Sequence, residues 1–199
     1  MMSDRQTAFY YDVNATAYAD ATMGLSMDEP LRAFMAGLQR CDRIIDIGCG
    51  SGRDLRRFRE AGFHAVGLDV SAGLAGYAAQ VSKCPVVVGD MLDLPFASGS
   101  FEGAWASASI LHITRADMLT ALSEIGRVLQ PRGLLFCSMK LGSGEARTAD
   151  QRFFSYVTPE EWQDLLDKAG FDQIDLDVDR LPLPTTGERW IRSLSRSGA

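Results

Sequence analysis

Short apolar runs alternate with amphipathic stretches along most of the chain, and this pattern predicts parallel strands joined by helices. Apolar positions recur every three or four residues in the stretches between the runs, as on one face of a helix. The predicted strands are residues 43–47, 63–69, 84–90, 101–109, 133–140, 172–178 and 187–196. The predicted helices are residues 53–62, 72–81, 114–130 and 158–171, after a helical N-terminal segment.

The helix ends carry recognisable signals. Thr158 and Glu161 form a capping box around the start of the last helix, and Gly170 ends it. Pro131 is expected to end the helix that follows the fourth strand. Residues 141–157 show no clear period, so we interpret them as an irregular excursion on the substrate side.

Composition favours one globular domain over residues 1–199, with 46% hydrophobic residues and no repeats. No apolar run is long enough to span a bilayer and no secretory core is present, so we expect a cytoplasmic protein without a membrane partner. The cysteines lack a C-x-x-C pair, which favours reduced thiols and no metal. The net charge of -6 disfavours nucleic acid and leaves a small molecule as the expected partner; the oligomeric state stays open.

Three alternate glycines, Gly48, Gly50 and Gly52, follow the first strand in "RIIDIGCGSGRD". Open parallel sheets bind ligands beyond the carboxyl ends of their strands, where a glycine loop lets a ligand lie against the backbone. The loop could equally be a tight turn without a ligand.

Asp69 strengthens the ligand interpretation because it ends the next strand, where a carboxylate can bind both hydroxyls of a ribose. The loop reads G-x-G-x-G, with Arg53 where a dinucleotide fingerprint has its last glycine. A nicotinamide dinucleotide is therefore less favoured than another adenosine ligand.

Asp90 follows the third strand and precedes Met91 and Leu92. A carboxylate beside apolar side chains suits an adenine amino group and its ring. The alternative is an Asp that only shapes a turn.

The segments "IIDIGCGSGRD", "GLDVS", "GDMLDLPF" and "LQPRGLLFCSMK" together resemble the motifs of class I S-adenosylmethionine-dependent methyltransferases. The resemblance covers residues 43–140. It implies an α/β, Rossmann-like sheet of seven strands in the order 3-2-1-4-5-7-6, with strand 7 antiparallel and helices on both faces. It also implies S-adenosyl-L-methionine as cofactor, held by Asp46, Gly48, Cys49, Gly50, Gly52, Arg53, Asp69, Val70, Ser71, Asp90, Met91, Leu92 and Ala106, the last as the residue that ends strand four.

"YYDVNATAYADAT" near the N-terminus and "FFSYVTPEEW" near the C-terminus are similar to small bacterial methyltransferases of the tellurite-resistance type. This similarity implies that residues 1–40 cover the cofactor, with Tyr11 and Tyr18 on one helix closing over its methionine end. Alternatively, the two aromatic rings only pack that helix on the sheet edge.

Methyl transfer from a sulfonium depends mainly on positioning, so a base is needed only when the acceptor must lose a proton. His112 follows the fourth strand and is the candidate catalytic base, or else a loop-packing residue. Lys140, Arg152, Arg189 and Trp190 could bind an anionic acceptor, or form an ordinary solvated surface.

The sequence therefore predicts a methyltransferase that acts on a small molecule. The end of strand four reads "ASAS" and lacks the acidic or N-P-P-Y signature by which amide- and base-directed methyltransferases resemble one another. This difference disfavours methylation of DNA and of amide nitrogen, and favours an oxygen, sulfur, metalloid or carbon acceptor. Two alternatives stay open: a nicotinamide-dependent oxidoreductase, and a protein that binds the cofactor without turnover.

Overall fold

Seven of the nine strands form one sheet in the computed structural model, which describes residues 4–178 and 188–198. The sheet order is β3-β2-β1-β4-β5-β9-β8, and β9 runs antiparallel to both of its neighbours, as predicted. The strands are β1 Arg43–Ile47, β2 His64–Asp69, β3 Val86–Val88, β4 Phe101–Ser107, β5 Leu129–Lys140, β6 Glu145–Arg147, β7 Phe153–Ser155, β8 Phe171–Val178 and β9 Trp190–Ser197.

Helices cover both faces of this sheet. They are α1 Arg5–Val13, α2 Ala15–Thr22, α3 Asp28–Ala36, α4 Arg53–Glu60, α5 Ala72–Ser82, α6 Arg115–Val128 and α7 Pro159–Lys168. The predicted capping box is present at α7: the Thr158 hydroxyl accepts the Glu161 N–H at 3.2 Å, and the Glu161 carboxylate accepts the Thr158 N–H at 2.9 Å. Among the described residues, no helix is both long and apolar enough to cross a membrane.

The core is divided between the two faces of the sheet. On one face, Phe34 of α3 and Phe58 of α4 pack edge-on against Trp105, whose ring stacks on Phe136 with centroids 3.9 Å apart. On the other face, α6 and α7 bury their apolar sides in a second cluster. The Trp105 indole N–H donates to the buried Asp54 carboxylate at 3.0 Å, so this polar atom is satisfied within the core.

The prediction for the end of α6 was wrong. The helix ends at Val128, and β5 begins at the next residue, so Pro131 lies within the strand. Leu129 pairs with Phe101, whereas Leu134 pairs with Gly103. The residues between form a bulge, and a proline fits there because it has no N–H to give to the ladder.

Residues 141–157 are not irregular throughout, which corrects the interpretation of the sequence in part. β6 and β7 form an antiparallel hairpin in which Ala146 pairs with Phe154. Each strand has three residues and β6 is exposed throughout, so neither strand is long enough to show a hydrophobic period. The alternation of polar and apolar residues over 187–196 predicts a partly exposed strand. β9 is instead mostly buried, because it lies between β5 and β8. The sequence also predicts a loop at 181–187, in "LPLPTTG", and this segment lies outside the described residues.

Candidate functional site

Two adjoining cavities lie at the carboxyl end of the sheet and share Tyr18, Gly48, Gly50 and Ala108 in their walls. The first, here the β2 cavity, is lined further by Tyr11, Asp69, Val70, Met91 and His112. The second, the β9 cavity, is lined further by Asp46, Cys49, Arg53, Ser138, Trp190 and Arg192. The loop after β1 therefore contributes to both, at the place where open parallel sheets bind ligands.

The three glycines of this loop all have positive φ, but for different reasons. A Cβ at Gly52 would lie 2.8 Å from the Ala78 Cα in α5, and a Cβ at Gly48 would lie 2.5 Å from the Ser109 Cβ. A Cβ at Gly50 would lie 3.4 Å from the Tyr18 ring and 4.0 Å from the Gly48 carbonyl oxygen, both in the shared wall of the cavities. Packing thus requires glycine at 48 and 52, whereas the Cβ position at 50 borders the cavities with only ordinary contacts.

Asp69 is buried at the end of β2 and holds the glycine loop. Its Oδ2 accepts the Gly50 N–H and its Oδ1 accepts the Ser71 N–H, each at 2.9 Å. A carboxylate has about four lone-pair positions, so both oxygens can still accept a ligand hydroxyl. Burial raises the pKa of Asp69 to about 6, although its backbone hydrogen bonds act in the opposite direction.

Val70 and Ser71, both predicted to contact the cofactor, differ in their exposure. Val70 is exposed and lines the β2 cavity. Ser71 is fully buried, where its hydroxyl accepts the Leu74 N–H as the N-cap of α5 and donates to Asp12 at 2.7 Å. The side chain of Ser71 therefore stabilises the start of α5 and its contact with Asp12.

Asp90, Leu92 and Ala106 do not line either cavity, whereas Met91 lines the β2 cavity. The Asp90 Oδ1 accepts the Leu92 N–H at 3.0 Å, which is the turn-forming role weighed as the alternative. Leu92 and Ala106 are buried in the core. β4 ends at Ser107, so the prediction that Ala106 ends strand four was wrong.

The β9 cavity has a charged wall next to the glycine loop. Arg53 binds Asp54 through two hydrogen bonds of 2.7 and 2.9 Å. Burial and the neighbouring Asp54 raise the pKa of Asp46 well above its ordinary value. Burial likewise raises the pKa of the Cys49 thiol, which favours its neutral form. Within the described residues, no group of three or more His, Cys, Asp or Glu side chains could hold a metal ion.

Tyr11 and Tyr18 lie on different helices, α1 and α2, which corrects the prediction of a single helix. Their rings meet edge-on over the β2 cavity, with centroids 4.9 Å apart. α1 is tied to the hairpin because the Thr7 hydroxyl accepts the Phe153 N–H at 2.8 Å and Asp4 pairs with Arg147 at 2.7 Å. The N-terminal segment thus covers the cavity from outside.

His112 lines the β2 cavity, but both of its ring nitrogens already have partners. Its Nδ1 lies 2.8 Å from the Phe153 carbonyl oxygen, so Nδ1 carries the proton. Its Nε2 accepts the Tyr11 hydroxyl at 2.9 Å. Burial lowers the pKa of His112 to about 4, so the ring is neutral near pH 7. His112 can reach an acceptor only through Tyr11, or after Tyr11 moves.

The basic residues predicted to bind substrate are largely paired elsewhere. Lys140 pairs with Glu188 at 2.6 Å and lies over the Phe154 ring. Arg152 makes two hydrogen bonds to Asp150, at 3.0 and 2.8 Å. Arg189 is exposed, and neither it, Lys140 nor Arg152 lines the two cavities; Trp190 does.

Sequence reasoning missed Arg192 and Ser138, which both line the β9 cavity. Arg192 alternates with Trp190 on one face of β9 and pairs across the sheet with Ser138 of β5. The available signal was this alternation, which places Arg192 on the same face as the tryptophan beside the site.

Residues 45–137 match a family model described as "Methyltransferase domain". The chain is 32% identical over 123 residues to "O-methyltransferase resE" from Aspergillus sclerotiorum, a match covering 57% of this chain and 46% of that protein. It is 36% identical over 100 residues to "O-methyltransferase rstn1" from Aspergillus nomiae, covering 46% of this chain and 44% of that protein. The chain thus spans about half the length of the curated relatives it matches.

Among solved structures, the fold resembles 1,6-didemethyltoxoflavin-N1-methyltransferase from Burkholderia thailandensis, which contains S-adenosylhomocysteine. The TM-score is 0.80 at 24% identity, covering 96% of this chain and 88% of that one. At this identity the likeness concerns the fold alone. The matched residues 45–137, together with the sheet order and the glycine loop at the strand ends, are thus similar to the class I S-adenosylmethionine-dependent methyltransferases.

Proposed function

We propose that this protein transfers the methyl group of S-adenosyl-L-methionine to a small-molecule acceptor. The observation that carries the proposal is the pair of cavities on either side of Gly50 and Tyr18. One cavity has a ribose-type carboxylate at Asp69, and the other opens toward β5 and β9. A nucleoside and an acceptor can therefore lie on opposite sides of the same loop.

The residues present fit the cofactor. Asp69 would hold the ribose hydroxyls, while Met91 and Val70 would contact the adenine ring from the wall of the β2 cavity. Gly50 leaves its backbone open to the remainder of the cofactor. When bound, the cofactor supplies a methyl group already activated by positive sulfur. Tyr18 lines both cavities and would shield this group from water.

The protein's own contribution is then mostly positioning, which can supply about 7–11 kcal/mol of a barrier. Where the acceptor must lose a proton, neutral His112 is the predicted base. The proton would pass through the Tyr11 hydroxyl, which donates a hydrogen bond to the His112 Nε2. Oxygen is the acceptor atom we favour, because the curated relatives named above are O-methyltransferases.

A second candidate is a protein that binds the cofactor without transferring its methyl group. The chain resembles the [4+2]-cyclase SpnF, with a TM-score of 0.77 at 19% identity over all of this chain and 98% of that one. A protein with a similar fold is thus named for a cyclisation and not for methyl transfer. The oxidoreductase alternative is disfavoured because Arg53 occupies the position of the last glycine of a dinucleotide loop.

Calorimetry separates these functions. We expect S-adenosylhomocysteine to bind and NAD to give no heat above dilution. Transfer of a labelled methyl group to compounds in a small-molecule panel would then support catalysis. Cofactor binding with no transfer to any compound would favour the second candidate, and NAD binding alone would reject the proposal.

Substitution of Gly50 by Val should weaken S-adenosylhomocysteine binding at least about tenfold while the fold is retained. The added side chain would point at Tyr18 and fill the shared wall. Gly99→Val is the matched control, because Gly99 also has positive φ but has no atom within 4 Å of its Cβ position. Equal affinity of the two variants in calorimetry, with parent-like circular dichroism, would show that residue 50 does not face the cofactor.

A further inference from the structure

Arg192 is a buried cation in the wall of the β9 cavity. It lies on β9, between β5 and β8, and is only 7% exposed. It lines the cavity together with Ser138, its cross-strand neighbour, and Trp190. None of the roles assigned above uses its guanidinium group.

One nitrogen of the Arg192 guanidinium has no hydrogen-bond partner in the described part of the protein. Its Nη1 is buried without a hydrogen-bond partner, and lies 3.6 Å from the Asp177 Oδ2, beyond ordinary hydrogen-bond length. Arg53, the other arginine in the wall of this cavity, is instead held by Asp54 at 2.7 Å. Removing an arginine from water without hydrogen bonds is costly, so a ligand that fills this position would be stabilised.

The geometry of the Arg192 side chain indicates the chemical group that it would bind. A guanidinium presents a planar fork of N–H groups that matches the two oxygens of a carboxylate. Ser138 adds a further donor nearby: its Oγ accepts the Ala108 N–H at 2.8 Å, which leaves the hydroxyl proton available. The Asp177 carboxylate on β8 partly compensates the positive charge of Arg192. Both residues also line a third cavity, together with Glu29 and Asp175.

The position of Arg192 assigns this anion to the acceptor rather than to the cofactor. Neighbouring strands lie about 4.8 Å apart, so β9 is roughly 14 Å from β1 across β4 and β5. The glycine loop and Arg53 follow β1. A small acceptor between the loop and β9 would thus have one end beside the cofactor and the other at Arg192.

We propose that Arg192 binds a carboxylate of the methyl acceptor in the β9 cavity, and so selects acidic acceptors. This inference rests on the proposed methyltransferase function. Arg192 replaces Lys140, Arg152 and Arg189 as the basis for anion recognition, because it lines the cavity and they do not.

The test uses the full chain saturated with S-adenosylhomocysteine and a pair of probes, 4-hydroxybenzoate and 4-hydroxybenzamide, which differ only in the acid group. Binding is followed by ligand-observed NMR. The acid should bind about ten- to hundredfold more tightly than the amide, as a charge-assisted pair implies. Arg192→Gln should abolish this preference, Arg192→Lys should retain part of it, and Arg196→Gln should leave it unchanged. Arg196 is the control because it shares the same face of β9 but binds the carbonyl oxygens of Arg132 and Gly37.

Each outcome has a distinct meaning. Failure of the parent protein to bind S-adenosylhomocysteine rejects the proposed function itself. Normal cofactor binding with no acid preference, or with no binding of the acid, overturns only the role of Arg192. Loss of cofactor affinity in folded Arg192→Gln and Arg192→Lys would assign the guanidinium to the cofactor and also overturn the inference.

Discussion

Gly52→Ala should lower the free energy of unfolding by about 2–5 kcal/mol. Gly52 has a φ of 73°, a left-handed conformation that costs other residues about 1–2 kcal/mol. Its Cβ would also lie 2.8 Å from the Ala78 Cα and 2.9 Å from the Ala78 carbonyl oxygen. These are backbone atoms of a helix, so the contact is relieved only if α5 shifts, at about 1–3 kcal/mol.

Urea unfolding followed by circular dichroism measures this change. Gly170→Ala is the matched control, because Gly170 has a φ of 80° but no atom within 4 Å of its Cβ position. The control should therefore lose only the backbone contribution, about 1–2 kcal/mol. Equal losses in the two variants would mean that the approach of α4 to α5 does not require glycine at 52.

The sequence predicted this loop well because its signal is local. A short apolar strand, three alternate glycines and the amphipathic helix from Arg53 lie within consecutive residues, so their order along the chain is also their order in space. The sheet order came instead from the resemblance of residues 43–140 to a known family. Propensity alone does not specify which strands become neighbours.

The glycines show the limit of such reasoning. Spacing identified Gly48, Gly50 and Gly52 as one feature, but their roles depend on Ser109 and Ala78, which are distant in sequence. The Cβ position of Gly50 borders the cavities, whereas packing accounts for the other two glycines. Positive φ is thus predictable from the sequence in this loop, and its cause is not.

Arg192 was missed for a related reason. In the sequence it belongs to an alternating pattern typical of a strand with one exposed face. The structure inserts this strand between β5 and β8, and its arginine becomes buried beside a cavity. Burial of this kind depends on the arrangement of the sheet, which the alternation of residues does not contain.

The same dependence on distant contacts applies to the predicted base. His112 follows β4, as expected, yet its partners are Tyr11 of α1 and Phe153 of the hairpin. The neutral His112 ring therefore links α1 and the β6–β7 hairpin to the loop after β4. Its position was predictable from the sequence, and its two hydrogen bonds were not.

Asp69→Asn should weaken S-adenosylhomocysteine binding by about 1.5–3 kcal/mol at pH 7.5, because a charge-assisted pair to the ribose becomes a neutral one. Asn is more informative than Ala at this position. Asp69 also accepts the N–H groups of Gly50 and Ser71, and the carbonyl oxygen of Asn can keep one of these bonds while Ala keeps neither. A larger loss in Asp69→Ala than in Asp69→Asn would measure the contribution of the loop contacts.

The pH dependence of binding identifies the charged form. Burial raises the pKa of Asp69 to about 6 in the cofactor-free protein, and ribose hydroxyls that donate to the carboxylate favour the ionised state. Cofactor affinity should thus be near its full value about one unit above pH 6, and fall up to about tenfold for each pH unit below pH 6 until the carboxylate of the complex is also protonated. Calorimetry should find this slope in the parent and in Asp93→Asn, which removes an exposed acid, but a flat profile in Asp69→Asn. A slope that persists in Asp69→Asn would assign the titration to another group and remove the ribose role from Asp69.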